Sequence, residues 1–400
     1  MKKLILSFLF VSLGLSLQAQ EINDNKFGNG MINFIAKDSS FSVKFAPRIQ
    51  SRYQTERSYY EENYDPVDIN FSVRRARLKF NGFAFSPKLK YKIELGLSNR
   101  DISGASAYNR NTPRYILDAV VIWNFHENFE LWAGQTKLPG NIERVVSSAN
   151  LQLIDRSLLN SKFNIDRDMG IQLRHKSRFG GNWIIKEKFS ISQGEGRNIT
   201  EGNIGGLQYT SRLELLPFGE FSSKGDYSQG DLKREKSIKA MFGFTYDINE
   251  NAVKSRSNMG SYMIQSSGGL FETDITTIFL DGIIKYNGYA FMGEYANRDA
   301  DQIEALEEDG RTKTGAVVGA GSALNIQGSY LFKSNFEITA RYTNINFKEI
   351  TRLSDLKQIT FGVSKYVVGH SLKIQADISL SNVNRIKNNV LFRTGFDLHF

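Results

Sequence analysis

The chain has 400 residues, no cysteine, and 51 Lys+Arg against 42 Asp+Glu, a net charge of +9. Missing thiols exclude disulfides and thiolate metal centres. The basic residues lie on alternate positions and not in one run, which argues against nucleic acid as a partner.

In chain order, "MKKLILSFLFVSLGLSLQAQ" reads as a secretory signal peptide over residues 1–20. Lys2 and Lys3 form its charged start, Leu4 to Leu17 its apolar stretch, and Gln18-Ala19-Gln20 its cleavage end. The apolar run falls short of the ~20 residues a spanning helix needs, and no later run approaches that length. Residues 21–40 read as a short N-terminal periplasmic segment. Mean hydropathy is −0.35 although 12% of residues are aromatic. Averaged hydropathy misses a membrane β-barrel because the two faces of each strand differ.

From Phe41 onward the period is two, the mark of strands with unlike faces. "FSVKFAPRIQSRYQ" sets Phe41, Val43, Phe45 and Ile49 against Lys44, Arg48, Gln50 and Arg52. The next segment carries Arg75, Arg77 and Lys79 on one face, while the parity of Arg74 puts it on the lipid face. "KLKYKIELGL" opposes Leu89, Tyr91, Ile93, Leu95 and Leu97 to Lys88, Lys90, Lys92 and Glu94. In "RYILDAVVIWNF", Tyr115, Leu117, Ala119, Val121, Trp123 and Phe125 share the apolar side, with Asp118 and Asn124 opposite. Arg174 with Lys176, and Lys186 with Lys188, continue the basic faces. The final stretch "FRTGFDLHF" alternates Phe392, Thr394, Phe396, Leu398 and Phe400 with Arg393, Gly395, Asp397 and His399.

Tight breaks near Pro87, Glu127, Gly180, Asn287, Ser334 and Gly369 alternate with longer ones, the longest at 137–166. That is the pattern of short periplasmic turns and larger outer loops. If 217–235 is one long periplasmic turn, the count is about sixteen strands; if it is a hairpin, about eighteen. The expected fold is all-β, a transmembrane antiparallel β-barrel over 41–400, in the outer membrane of a Gram-negative bacterium. Faces opposite the apolar ones are basic, with few acids, chiefly Glu94 and Asp118. A narrow aqueous path with low-dielectric walls focuses such charge and concentrates anions.

Two stretches carry a resemblance. "FSVRRARLKFNGFAFSPKLKYKIELGLSN" and "ELWAGQTKLPGNIERVVSSANLQLIDRSLLNSKFNIDRDMGIQL" resemble the phosphate-selective porin O/P family. The shared features are the Arg-Arg-x-Arg-Leu run, Gly-Gln-x-Lys-x-Pro, Ser-Ser-Ala-Asn and Asp-Arg-Asp-Met-Gly. The resemblance implies a trimeric barrel with a third loop folded inward, here 137–166, and a ladder of basic residues lining the pore. It carries the ladder onto Arg74, Arg75, Arg77 and Lys137, with Arg144 and Arg156 in the loop. Together with the residues read from alternation, the expected pore-lining set is Arg48, Arg52, Arg75, Arg77, Lys79, Lys90, Lys92, Lys137, Arg144, Arg156 and Asp118.

The function expected is an anion-selective diffusion channel for small solutes, with phosphate as the solute the resemblance names. Expected partners are small anions, outer-membrane lipid and two further copies of the chain, with no cofactor or metal. The alternatives are a general, weakly selective porin, a plugged partner-binding barrel, and a barrel-type hydrolase. For the last, four scattered histidines offer no His-x-x-x-His pair, and no Gly-x-Ser-x-Gly elbow is present.

Overall fold

In hydrocarbon no water pairs with an exposed amide, so strands cross a bilayer only when every edge is closed. The computed structural model describes residues 27–400 apart from 62, 103, 203 and 384–386. The leader read at 1–20 lies outside the described residues.

Sixteen strands form a closed antiparallel barrel. They are β1 (Arg48–Tyr60), β2 (Asp68–Ala84), β3 (Ser86–Gly96), β4 (Ile116–His126), β5 (Phe129–Lys137), β6 (Arg167–Arg178), β7 (Ile184–Ser192) and β8 (Gln208–Leu216). The second half is β9 (Lys239–Ala252), β10 (Thr273–Tyr286), β11 (Tyr289–Ala300), β12 (Gly321–Leu331), β13 (Phe336–Phe347), β14 (Leu356–Val368), β15 (Leu372–Val383) and β16 (Lys387–His399). Each pairs with its chain neighbour, and β16 closes on β1 in a register running from His399↔Arg48 to Asn388↔Tyr59. A short hairpin, Ile32–Ile35 with Ser42–Phe45, lies against the lower end of β2. Phe400 donates its amide to Pro47 O at 3.2 Å and meets Phe27 edge-on. No described helix is long and apolar enough to cross a membrane; the crossing is made by strands.

The outward positions form the apolar belt. Phe71, Ile93, Leu280 and Phe361 are all exposed, whereas inward neighbours such as Thr277, Thr360 and Arg298 are fully covered. Arg74 and Leu117 depart from the alternation at register breaks. Between Gln50 and Ser51 the partner on β2 jumps from Arg75 to Val73, so Arg74 is the extra residue of a bulge. Bulges re-aim a side chain, and Arg74 turns inward to an aspartate at 3.0 Å instead of facing lipid. Likewise the partner of β3 jumps from Asp118 to Ile116, and the skipped Leu117 is buried at 2% exposure, not on the lipid face.

Segment 217–238 contains only short 3₁₀ structure over Ser222–Tyr227, kinked at Ser223 and Lys224, and no ladder of its own. It is one turn, so the count is sixteen and not eighteen. The loop between β11 and β12 carries a two-stranded hairpin, Glu304–Leu306 with Lys313–Val317.

Placing a charge on the lipid face near mid-strand should cost about 2–4 kcal/mol. Phe361→Lys is therefore expected to lower unfolding stability by that amount in denaturant titrations of vesicle-inserted protein, and Leu353→Lys, in an outer loop, to change it little.

Candidate pore and constriction

The loop between β5 and β6 does not leave the barrel; its polar groups are answered by the inner wall. Two short helices, α1 (Ile142–Val145) and α2 (Leu158–Phe163), organise it. A helix start presents unpaired N–H groups and a helix end unpaired carbonyls. At the start of α1, wall carboxylates act as caps: Asp281 accepts from Ile142 N at 3.1 Å and Glu294 from Glu143 N at 2.6 Å. At its end, Lys137 Nζ donates to the carbonyl of Arg144 at 2.8 Å and more weakly to Val145 and Val146. Arg156 donates to Glu143 O and Val146 O, both at 2.7 Å. Ser157 caps α2 by accepting from Asn160 N at 3.1 Å.

Further along, Gln152 donates to Glu337 at 2.7 Å and its carbonyl accepts from Gln375 at 2.7 Å. Ile154 N reaches Asp377 at 3.1 Å. Ser148 accepts from Arg48 at 2.6 Å, and Lys373 donates to Ala149 O and Leu151 O. The loop thus touches β1, β10, β11, β13, β15 and, through Asp155, β2 and β16.

Apolar packing fills one side of the interior. Ile142, Val146 and Leu151 pack with Ile184, Leu216, Phe221, Met241, Ile283 and Met292. Leu138, Leu159, Phe163 and Ile165 pack with Phe279, Ala296, Ala323 and Ile345. The 217–238 turn enters from the short-turn end and meets the loop: Gln229 N donates to Asn150 O, and Gln152 N to Gln229 Oε1, both at 2.9 Å. Lys285 ties that turn to the wall through Gly225 O and Ser228 O at 2.8 Å. Two cavities flank it at this end. One of about 900 Å³ is bounded by Val145, Ser147, Tyr227, Asp231, His370 and His399. The other, about 770 Å³, is lined by Trp132, Arg174, Lys176, Lys186, Lys188 and Tyr227.

The expected pore-lining residues all lie on the interior or in the loop, but most of their charge is already matched. Arg48 is bidentate to Asp397 and Arg77 bridges Glu94 and Asp101. Lys92 donates to Asp118 at 2.8 Å, and Lys90, near the turns, lies 3.3 Å from Glu130. Arg144 pairs with Asp166. Asp118 is fully covered, held by Lys92, Arg167 and Thr136. The expectation of few inward acids is corrected by the rest of the barrel, where Glu214, Asp247, Asp281, Glu294, Glu337, Asp377 and Asp397 are also buried. Acids and bases left facing one another in a narrow interior pair because desolvation makes an unpaired charge costly.

Asp155, at the far reach of the loop, was not among the expected residues. Arg52, Arg74, Arg75 and Arg393 converge on its carboxylate. Burial alone would raise its carboxyl, but the charges of Arg74, Arg75, Arg393 and Arg52 outweigh that and hold it well below the usual carboxylate range. Two signals could have found this cluster: Asp155 as the lone acid of "LQLIDRSLL", and Arg393 on the polar face of the last strand.

Some cations retain no carboxylate. Lys137 and Arg156 hold only carbonyls, Arg174 lies 3.6 Å over the Trp132 ring, and Lys79 makes no ion pair among the described residues.

A sixteen-stranded barrel with an apolar outer belt and a loop laid across its interior is an outer-membrane porin. The family described as phosphate-selective porin O and P matches residues 43–390, and the chain belongs to that family. An uncharacterized protein of Aquifex aeolicus (strain VF5) is 26% identical over 358 residues, 83% of this chain and 80% of that one. Among solved structures, the anion-selective porin from Comamonas acidovorans covers 90% of this chain and 100% of its own, at TM-score 0.55 and 14% identity. The outer membrane channel DcaP of Acinetobacter baumannii covers 92% and 99%, at TM-score 0.54 and 11% identity. At such identities the solved structures share the fold.

Asp118→Asn leaves Arg167 and Lys92 facing an uncharged amide in a buried site. The expected loss is about 3–5 kcal/mol, read from denaturant unfolding of the refolded barrel. Gln229→Ala orphans the buried amide of Gln152 and should cost about 1–3 kcal/mol by the same measurement.

Proposed function

We propose that this porin passes small anions, phosphate among them, by diffusion, and that it does so as a homotrimer. The path runs along the wall of β1 to β6, opposite the packed apolar side, with the 137–166 loop as its constriction. The observation that carries the reading is a group of inward cations that make no ion pair among the described residues and stay partly exposed: Lys79, Lys137, Arg156 and Arg174. Positive charge left unmatched in a low-dielectric wall has a strengthened field. Arginine and lysine at a constriction favour anions, and their dispersion over several positions suits capture followed by release. Of the ion-paired arginines of the ladder, Arg48 and Arg77, which both reach Ser148, act in this reading as the rigid frame that positions the loop. Family membership, and the anion selectivity named for the Comamonas protein, support the same conclusion.

In planar bilayers under a salt gradient the zero-current potential is expected to favour chloride over potassium; a potential favouring potassium would reject the proposal. Lys79→Gln and Lys137→Gln should each lower the anion-to-cation permeability ratio and weaken block of chloride current by added phosphate. An unchanged ratio in both variants would remove these residues from the path.

A further inference from the structure

Asp155 occupies a position that a solute could fill. Its Oδ1 accepts from Arg74 at 3.1 and 3.0 Å and from Arg75 at 3.2 Å, and its Oδ2 accepts from Arg52 at 2.5 Å. Arg393 NH1 stands 3.6 Å from Oδ2, and Arg341 donates to the Asp155 carbonyl at 3.0 Å. The guanidiniums come from β1, β2, β13 and β16, while the carboxylate arrives on a loop. The wall therefore gathers an excess of guanidiniums, of which Arg393 also has a wall partner in Asp377, and the carboxylate at their centre is not part of the wall.

Three further features mark the cluster as a binding site and not only a strut. The guanidiniums of Arg52, Arg74, Arg75 and Arg393 outnumber the carboxylates they touch, which are Asp155 and Asp377. Among the described residues, Nε of Arg52, of Arg75 and of Arg341 has no hydrogen-bond partner although each residue is at least nine-tenths buried. The side chains of Arg74 and Asp155 keep 15% exposure, so water reaches the cluster.

We infer that Asp155 is a tethered counter-anion: it holds a guanidinium subsite built for a carboxylate, and small carboxylate solutes use that subsite by competing with it. The inference rests on the anion path proposed above. A planar carboxylate with both oxygens shared among guanidinium forks is the geometry these donors match best. A tethered group competes at a high effective concentration, so a passing carboxylate is held weakly and released, as conduction requires. Without the tethered charge the same arginines would retain it.

The test titrates acetate into the chloride current of single channels. In Asp155→Asn the acetate concentration giving half block should fall by about tenfold or more, the effect of one charge-assisted contact set free. Asp155→Glu should behave like the unsubstituted protein, and adding Arg74→Gln to Asp155→Asn should reverse the gain. If Asp155→Asn does not assemble, Asp155→Ser is read in the same way. Half block at the unsubstituted concentration overturns the inference. So does a rise in conductance for potassium and neutral sugars alike, since Asp155 would then only brace the loop. Phosphate blocking Asp155→Asn more strongly than acetate overturns the carboxylate assignment. The zero-current potential of the unsubstituted protein scores the anion path separately from these comparisons.

Discussion

Closure of β16 on β1 is the constraint from which the rest follows. An open sheet in hydrocarbon would leave a row of amides and carbonyls without partners; the ladder from His399↔Arg48 to Asn388↔Tyr59 removes that edge. Once the ring is closed, period-two alternation assigns one side of every strand to lipid and the other to a common interior. Polar side chains from every wall then face each other across a confined space, and pairing among them becomes the second organising force.

The interior is consequently not an open tube lined by free charge. The 137–166 loop acts as a cross-brace whose backbone is answered by the wall at every stage. Carboxylates of Asp281 and Glu294 cap one end of α1, and Lys137 and Arg156 cap the other. Those placements agree with the helix dipole, which favours anions at its start and cations at its end. The 217–238 turn supports the loop from the opposite mouth. Apolar clusters complete this filling on the β7 to β13 side.

Much of the fold was legible because alternation is a local property. The strands, the short and long breaks and the even count each depend on a window of about ten residues. Arg74 and Leu117 show where parity fails: a bulge inserts one residue, and only the pairing partner reveals it. The basic faces were legible as faces, but their partners were not. Asp397 with Arg48, Asp281 with Arg212, and Asp155 with its four arginines are separated by long stretches of chain. Charge balance across a closed ring depends on topology, which no single window contains. Lys137 illustrates the point. Its type and position were anticipated, yet its donors serve the carbonyls of α1, a helix four residues long with too few turns to leave a periodic signal.

The central claim is that the ring is wet and electropositive inside and oily outside, and a chain without native cysteines allows this to be measured directly. Lys79→Cys and Ile93→Cys would be reconstituted in lipid vesicles and treated with anionic and cationic water-soluble thiol reagents. Lys79→Cys should react, and faster with the anionic reagent, whereas Ile93→Cys should stay unmodified by both. Reaction at Ile93→Cys with Lys79→Cys protected, or faster attack by the cationic reagent, would contradict the account.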